Sequence, residues 1–308
     1  MESGIHMGEL PGPVLVSGAS GMLGTALRQA LAGQGVGVRQ LVRGAVQGEG
    51  QIAWNPEAER AVAKPAALEG CAAAIHLSGA SVAGRWTASY RKEMAASRVE
   101  TTRALAETLA GLERKPEVLV VASAVGIYGS RGDEMLDEGS EAGTGFLAEL
   151  CRAWEAAAEP ARRARVRVVH ARFGVVLGRG GALAKMLPVF KLGLGGPLGS
   201  GQQWMSWVSL DDAVAALLFA MKTPELADAL NVTAPEPVTN VEFARALGRV
   251  LRRPAVLAAP AAALRLVFGE MAGETLLASQ RAVPSRLLDA GFRFRYPEID
   301  GALRVALA

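Results

Sequence analysis

Three glycines, Gly18, Gly21 and Gly24, follow directly on the apolar residues 14–16 with the spacing G-x-x-G-x-x-G. A helical stretch, TALRQALAGQG, comes next, and a second strand is predicted over residues 36–42. Together they form a βαβ unit of about thirty residues, the size of a dinucleotide-binding crossover. Glycines at this spacing permit a tight turn, close approach of a pyrophosphate and close packing of helix on strand. The helix start adds unpaired N–H groups that bind phosphate. The pattern predicts a dinucleotide site.

The end of the second strand indicates which dinucleotide is bound. NAD-selective proteins place an acidic residue there to bond the ribose 2′-hydroxyl. Residues 36–47 contain no Asp or Glu, but they contain Arg43. A guanidinium at this position can pair with the 2′-phosphate of NADP. We therefore predict NADP(H); the alternative interpretation is that Arg43 is an ordinary exposed loop residue.

The elements that position these residues alternate between strand and helix. Further strands are predicted at residues 51–54, 71–81, 117–129 and 165–178, and helices at residues 90–112 and 146–163. Continuous apolar strands are typical of a parallel sheet that is buried on both faces. The predicted fold class is α/β, a Rossmann-type doubly wound parallel sheet with a small C-terminal substrate lobe, and ligands bind such sheets at the carboxyl ends of the strands.

The domain organisation predicted from this pattern has three parts. Residues 1–13 form an N-terminal tail, residues 14–178 the dinucleotide-binding domain, and residues 179–308 a mixed segment that contributes late sheet strands and the small lobe. The last part begins with a glycine-rich loop, residues 192–201, followed by Trp204 and Trp207. We expect this loop and the tryptophans to line a substrate site, although tryptophans here could equally form the core of the lobe.

Two helix starts and one strand are predicted within this last part. Ser209 with Asp212, and Thr239 with Glu242, have the spacing of helix caps. Asp211 and Asp212 are accordingly interpreted as helix-start residues and not as a catalytic carboxylate pair. The segment GFRFRYP, residues 291–297, has the alternation of a strand.

The amino-acid composition indicates which classes of partner and which compartment to expect. The chain of 308 residues has a net charge of only +3, and its arginine clusters lack interleaved aromatic residues, so we expect no nucleic-acid partner. Two cysteines and three scattered histidines give neither a disulfide framework nor a metal site, which favours a reduced, cytoplasmic protein. The first thirteen residues do not read as a signal peptide, and no apolar run is long enough to span a bilayer, so no membrane partner is expected. The sequence leaves the oligomeric state open.

Longer motifs carry a resemblance to a known family. They are GASGMLG, HLSGASV, SRVETTRAL, SAVGIYG, the run from RFGVVLGRGG to MSWVSLDD, and LLASQRAVPSRLLDAGFRFRYPEIDGAL. From residue 14 to the C-terminus the chain resembles the atypical, epimerase-like branch of the extended short-chain dehydrogenase/reductase superfamily that carries a C-terminal domain of unknown function. The resemblance implies a Rossmann domain, NADP(H) and a small polar substrate such as a nucleotide sugar.

The resemblance also implies particular cofactor contacts. The pyrophosphate turn falls on Gly18, Gly21, Met22, Leu23 and Gly24. The remaining contacts fall on Arg43, Leu77, Ser78, Glu93, Arg98 and Val176.

The proton relay usual in this superfamily is incomplete. Most members use a Ser together with Y-x-x-x-K, in which the lysine lowers the tyrosine pKa. Ser123 matches the serine, whereas the tyrosine and lysine positions fall on Leu147 and Cys151, counted back from Glu155. Tyr128 is the hydroxyl-bearing aromatic expected near the pocket, either as a substitute acid or as a wall of the substrate site. Without a neighbouring cation its pKa is expected to stay near 10.

The cofactor motif and the incomplete proton relay together allow two functions of different class. The first is an NADP(H)-dependent oxidoreductase or epimerase, with Ser123 and Tyr128 as catalytic residues. The second is a non-catalytic NADP(H)-binding sensor or regulatory protein. We favour the enzyme, because binding alone does not require a glycine-rich loop beside a substrate site.

Overall fold

The structure, a computed structural model, describes residues 10–308; residues 1–9 of the predicted tail lie outside the described residues. The strands are β1 Val14–Ser17, β2 Val38–Val42, β3 Gln51–Ala53, β4 Ala73–His76, β5 Val118–Ala124, β6 Met135–Leu136, β7 Arg167–Phe173, β8 Val175–Leu177, β9 Trp204–Met205, β10 Trp207–Ser209, β11 Asp228–Val232, β12 Val238–Thr239 and β13 Arg281–Ala282. The helices are α1 Met22–Gly33, α2 Ala88–Ala95, α3 Thr101–Ala110, α4 Phe146–Ala156, α5 Glu159–Arg163, α6 Gly181–Lys191, α7 Leu210–Lys222, α8 Asn240–Leu251, α9 Ala261–Phe268, α10 Ser285–Asp289 and α11 Ile299–Leu307.

Seven strands form one sheet in the order β11-β7-β5-β4-β1-β2-β3, and every neighbouring pair is parallel. The order runs outwards from β1 in both directions, which is the arrangement of a doubly wound dinucleotide-binding fold. The predicted fold class is confirmed. In such a sheet the direction of strand progression reverses between β1 and β4, so the carboxyl ends of these two strands border the ligand crevice.

Helices cover both faces of the sheet because successive strand side chains point to opposite faces. Val14 and Val16 of β1 are buried under α1 and α7, whereas Leu15 is buried under α3 and the residues around Trp154. The central strands β1, β4 and β5 are therefore apolar at most positions, as the sequence predicts for a sheet buried on both sides.

A smaller core lies beyond the sheet in the C-terminal part. Trp207, Phe243, Leu247 and Leu303 are fully or almost fully buried there, on β10, α8 and α11. The chain returns to the main sheet once in this part, through β11 at the edge next to β7. The division at residue 178 stays a prediction.

The caps predicted for α7 and α8 are confirmed. The Ser209 hydroxyl accepts a hydrogen bond from the Asp212 N–H, and Thr239 and Glu242 form a reciprocal capping box. Asp212 is buried and also accepts hydrogen bonds from the N–H groups of Arg295 and Tyr296, at 2.7 and 3.0 Å. These bonds replace strand pairing, so the strand predicted for residues 291–297 is wrong.

Several predictions on local structure differ from the observed elements. The strand predicted over residues 117–129 ends at Ala124, the strand predicted over residues 165–178 is interrupted at Gly174, and the helix predicted over residues 146–163 is interrupted at residues 157–158. The helix predicted over residues 90–112 is divided by a wider, π-helical turn at Ala96–Glu100. The strand predicted over residues 71–81 is limited to β4, after which the chain leaves the sheet. Within residues 10–308, no helix has the combination of length and apolar character required to cross a membrane.

Candidate functional site

The turn between β1 and α1 has no room for a side chain at two of its glycines. Gly18 has a φ of +66°, and a β-carbon built on it would lie 2.6 Å from the Leu77 carbonyl carbon. A β-carbon on Gly24 would lie 2.2 Å from the Gly18 carbonyl oxygen. The Arg28 guanidinium also donates to the Ala19 carbonyl at 2.9 Å. The turn is therefore held tightly between α1 and the end of β4.

The first turn of α1 supplies hydrogen-bond donors beside these glycines. Gly21 is the N-cap, no side chain caps the helix, and the first turn contains no acidic residue. The N–H groups of a first turn have no acceptor within the helix, and this end of the helix dipole is positive. Bare glycine backbone and free N–H groups, including those of Met22 and Leu23, fit a dinucleotide pyrophosphate.

Arg43, the residue predicted to contact the 2′-phosphate, lies at the end of β2. It follows Val42, the last residue of β2, and β2 pairs with β1 so that Leu41 is opposite Ser17. Its side chain is exposed and makes no hydrogen bond or ion pair with another described residue. The guanidinium is therefore available to a phosphate at the edge of the crevice.

The chain segment after β4 borders the same turn. Leu77 donates its N–H to the Ser17 carbonyl at 3.2 Å, and the Ser78 nitrogen lies 2.9 Å from the β-carbon position of Gly18. Val176, half-buried in β8, lies two residues before Gly178, which packs on the Met22 side chain. The structure thus brings these residues together around the β1–α1 turn.

Arg98 lies behind the β4 segment, and it is 8 % exposed. Its guanidinium donates to the Ala80 and Met94 carbonyl oxygens, at 2.7 and 3.2 Å, and lies 5.1 Å from the Trp154 ring centroid. Burial lowers the pKa of Arg98. These contacts fix the chain at residues 79–80, so Arg98 shapes the crevice from behind, whereas Glu93 is exposed on α2.

Three polar residues lie side by side at the carboxyl ends of adjacent strands. Ser123 of β5 is opposite Arg172 of β7, and Arg172 is opposite Asn231 of β11. All three are buried. Parallel strands place them at the edge of the sheet where ligands bind.

Glu155 of α4 connects this row. The Arg172 guanidinium donates to both Glu155 oxygens, at 2.8 and 2.9 Å, and the Ser123 hydroxyl donates to Oε1 at 2.7 Å. Although burial disfavours its charge, hydrogen bonding to Glu155 raises the pKa of Arg172. The proton of Ser123 is thereby directed to Glu155, which leaves the lone pairs of its oxygen available to another donor.

Tyr128 belongs to the same network and is fully buried. Its hydroxyl donates to Asn231 Oδ1 at 2.7 Å and accepts from Arg172 Nη1 at 3.0 Å. Burial raises the pKa of Tyr128, and Arg172 opposes that effect. The expectation that no cation neighbours this phenol is therefore wrong. Because the ring is enclosed, Tyr128 is connected to the row of polar residues through its hydrogen bonds to Arg172 and Asn231, and it does not line the crevice itself.

The positions of the usual tyrosine and lysine contain no acid or base. Leu147 lies in the first turn of α4, where its N–H donates to the Glu274 carboxylate at 2.7 Å. Cys151 is buried, and burial raises the pKa of its thiol to about 12. Neither side chain can exchange a proton at neutral pH.

The glycine-rich loop and its tryptophans are arranged differently from the expectation. Trp207 is fully buried in the small core, and its indole donates to the Glu236 carbonyl at 3.0 Å. The loop itself packs on residues 257–259, with Gly199 donating its N–H to Ala259 at 2.8 Å. Trp204 is half-buried against Arg281, whose guanidinium lies 4.2 Å from the ring centroid. The expectation that Trp207 lines a substrate site is wrong.

His76 is a packing residue of the sheet. It is fully buried, with Nδ1 2.5 Å from the Ser17 hydroxyl and Nε2 3.2 Å from the Thr101 hydroxyl. Burial lowers its pKa to about 4. Across residues 10–308, no group of three or more His, Cys, Asp or Glu side chains is arranged to hold a metal ion.

Sequence reasoning missed Arg172 and Asn231 altogether and used Glu155 only as a reference position. A signal for Arg172 was present, because it is a charged residue inside the mainly apolar run VVHARFGVVL. A buried charge requires a partner, so such a residue indicates a polar site on the sheet.

Two protein-family models match this sequence. The sequence model of the NAD dependent epimerase/dehydratase family matches residues 14–233, and that of a domain of unknown function, DUF1731, matches residues 259–306. The epimerase family protein Mb2239 of Mycobacterium bovis is 44 % identical over 295 residues, which cover 95 % of this chain and 97 % of that protein. The epimerase family protein YfhF of Bacillus subtilis is 34 % identical over 300 residues, covering 96 % and 98 %.

Solved structures of similar proteins have the same fold. Human epimerase family protein SDR39U1 (isoform 2), crystallised with NADPH, is 36 % identical with a TM-score of 0.87, covering 96 % of this chain and 98 % of that chain. A nucleoside-diphosphate sugar epimerase from Corynebacterium glutamicum is 36 % identical with a TM-score of 0.77, covering 96 % of this chain and 58 % of that chain.

Proposed function

The chain belongs to the NAD dependent epimerase/dehydratase family, and we propose that it is an NADP(H)-dependent oxidoreductase or epimerase acting on a small polar substrate. The observation that carries this proposal is the β1–α1 turn. Gly18 and Gly24 admit no β-carbon, and the uncapped start of α1 lies beside them. The tight packing at these glycines leaves the backbone of the turn bare beside free N–H groups, and this combination suits phosphate binding.

The choice of NADP(H) rests on charge at the end of β2. Arg43 is exposed and unpaired among the described residues, and no acidic residue competes for it between positions 36 and 47. The human relative crystallised with NADPH supports the same choice. A ribose 2′-phosphate beside Arg43 would form a charge-assisted contact that the 2′-hydroxyl of NAD cannot form.

When bound, NADP(H) supplies hydride transfer at its nicotinamide. The side chain of this protein that we assign to the reacting end is Ser123, at the carboxyl end of β5. Because the Ser123 hydroxyl donates its hydrogen bond to Glu155, the serine oxygen can accept a hydrogen bond from a substrate hydroxyl and orient it. Arg172 keeps the Glu155 carboxylate in place for this task.

A nucleotide sugar is the substrate class that we favour. The Corynebacterium relative is described as a nucleoside-diphosphate sugar epimerase, and its identity of 36 % is high enough to support a related substrate. We further infer a reducing, cytoplasmic location, because Cys71 and Cys151 are both free and buried.

The test combines binding and turnover. NADPH and NADH are titrated separately into the native protein by fluorescence, and NADPH oxidation is then followed with quinones, aldehydes and nucleotide-sugar ketones. We expect tighter binding of NADPH and measurable turnover with one carbonyl class. Equal affinity for both cofactors would contradict the cofactor assignment.

A non-catalytic NADP(H)-binding function is the second candidate. The observation favouring it is the pair Leu147 and Cys151, which replaces the acid–base residues of the usual relay with groups that do not exchange protons at neutral pH. Tight NADPH binding without turnover on any carbonyl class would support this function instead.

A further inference from the structure

The C-terminal part has an unusual concentration of exposed apolar side chains. Among the described residues, twelve large apolar side chains are exposed, and five of them lie within residues 189–194 and 256–257. Leu192 is 74 % exposed and Val256 is 76 % exposed. The other three are Val189, Leu194 and Leu257. Single exposed apolar residues are ordinary, but a cluster of this kind marks an interaction site.

These two segments adjoin each other. The Leu257 N–H donates to the Gly195 carbonyl at 3.2 Å, and a β-carbon on Gly193 would lie 3.4 Å from the Pro254 ring. Gly196 packs against the backbone of Leu257. The five side chains therefore belong to one continuous surface at the end of α6 and after α8.

The two chain segments that form this surface contain no acidic residues. Residues 179–210 and 243–269 contain no Asp or Glu but eight Lys or Arg, although the whole chain of 308 residues has 30 acidic residues. At that average frequency the two stretches would hold about six acidic residues. Their absence gives this part of the surface a positive potential.

A concavity of about 450 Å³ borders Val256 and is lined by four arginines. Arg249 pairs with Asp300 at 2.6 Å, and Arg245 is close enough to Glu242 to influence its pKa. Arg252 and Arg253 are exposed and have no carboxylate partner within the described part of the chain. We call the five apolar residues together with Lys191, Arg252 and Arg253 the basic apolar face.

We propose that the basic apolar face binds the surface of an anionic phospholipid bilayer. Phosphate groups would meet Arg252 and Arg253, while Leu192 and Val256 would enter the boundary between headgroups and acyl chains. A peptide partner fits less well, because amphipathic helices and strands bind in apolar grooves. Leu192 and Val256 are about three-quarters exposed and protrude from the surface, and the concavity beside Val256 is lined mainly by arginines, so it is not an apolar groove.

The inference is independent of the proposed function, because none of these residues contacts the β1–α1 turn or the Ser123 network. It departs from the expectation of no membrane partner, which rested on the length of apolar runs. A peripheral contact needs no spanning helix, since a few inserted side chains and neighbouring cations give reversible binding.

The test is sedimentation of the full-length chain with vesicles. One set contains phosphatidylcholine alone, and the other contains about one third phosphatidylserine, which makes its surface anionic. We expect binding to the anionic vesicles only. Each cation at such a surface contributes about fivefold, so Arg252→Gln/Arg253→Gln should weaken binding about 25-fold. Leu192→Ser/Val256→Ser should weaken it about tenfold or more.

Two control variants remove the same kinds of side chain from other parts of the surface. Arg60→Gln/Lys64→Gln removes two exposed cations, and Val46→Ser/Leu288→Ser replaces two exposed apolar residues. Both should bind as the native chain does. The proposal is overturned by equal binding to both vesicle types, by no binding, or by equal losses in the matched variants. Self-association of the native chain that Leu192→Ser/Val256→Ser abolishes would show instead that a second copy covers this face.

Discussion

The Glu155 carboxylate and the Arg172 guanidinium form a bidentate ion pair, with hydrogen bonds of 2.8 and 2.9 Å, at the carboxyl ends of β5 and β7. Their side chains are 14 % and 11 % exposed. Arg172 also binds the Tyr128 hydroxyl, and Glu155 also binds Ser123. One buried pair therefore holds both hydroxyl groups of the candidate site in position.

Breaking this ion pair should be costly. Glu155→Met or Arg172→Met leaves one buried charge unpaired, for which about 3–5 kcal/mol of unfolding free energy is expected to be lost. The double variant Glu155→Met/Arg172→Met should lose clearly less unfolding free energy than the sum of the two single losses, because it leaves no unpaired buried charge. Urea unfolding of the four proteins gives the cycle.

Arg163→Met is the matched control, because Arg163 forms an exposed pair with Glu159 on α5. It should change stability by less than about 1 kcal/mol. Additive losses in the Glu155–Arg172 cycle would show that the pair does not act as a unit.

Gly24→Ala should abolish cofactor binding. Its β-carbon would lie 2.2 Å from the Gly18 carbonyl oxygen, so the β1–α1 turn must open. Gly33→Ala in the same helix meets no atom within 4 Å and should leave NADPH affinity unchanged. Fluorescence titration with NADPH compares the two variants, and retention of native affinity in Gly24→Ala would remove this turn from the binding site.

Arg43→Ala should weaken NADPH binding roughly tenfold and leave NADH binding unaltered. A charge-assisted contact contributes about 1.5–3 kcal/mol, and exposure of Arg43 places its effect at the lower end. Arg60→Ala, another exposed arginine, serves as the control. If both arginine variants bind NADPH like the native protein, the 2′-phosphate is held by a different residue.

The sheet and its ligand edge could be predicted because they depend on local patterns. Val14, Val16 and Leu15 are all apolar because the strand is buried on both faces, and Gly18 and Gly24 are required by backbone contacts near in sequence. The family resemblance then supplied the positions around β4 and β8.

The parts that could not be predicted depend on contacts distant in sequence. Tyr128 meets Asn231 across 103 residues, and the backbone at residues 295–296 is bound by Asp212 instead of a neighbouring strand. Trp207 resembles a pocket residue beside glycines, but α8 and α11 enclose it. Periodicity contains no information on such pairings.

Stability should fall in mild acid because of His76. Burial lowers its folded-state pKa to about 4 from an ordinary value of 6.5. As pH falls, the unfolded chain therefore takes up the proton before the folded chain does. The contribution of neutral His76 to stability is fully present above about pH 6.5 and is lost as pH falls towards 4. The loss between about pH 7.5 and pH 5 should be about 2 kcal/mol.

His76→Asn should remove that part of the pH dependence. His170, whose pKa is also lowered by burial, acts in the same direction, whereas Glu138, whose pKa burial raises, acts in the opposite direction. The comparison is therefore the difference in slope between native protein and variant, measured by urea unfolding across this range. Parallel slopes would show that His76 is protonated equally in both states.

Substitutions of Ser123 and Tyr128 should have different effects, the first on turnover and the second on stability. If Ser123 orients the substrate through one of its hydroxyl groups, Ser123→Ala should reduce NADPH-dependent carbonyl reduction about a hundredfold, because a small loss of substrate positioning costs about 10²-fold. Tyr128→Phe should leave turnover nearly unchanged but lower unfolding free energy by about 1–3 kcal/mol, since Arg172 and Asn231 lose a buried partner. Full activity in Ser123→Ala would remove that residue from the mechanism. Activity lost in Tyr128→Phe at native stability would assign the proton donor to the phenol, and because burial raises its pKa, the native rate should then persist at pH 10 and fall only where the phenol ionises.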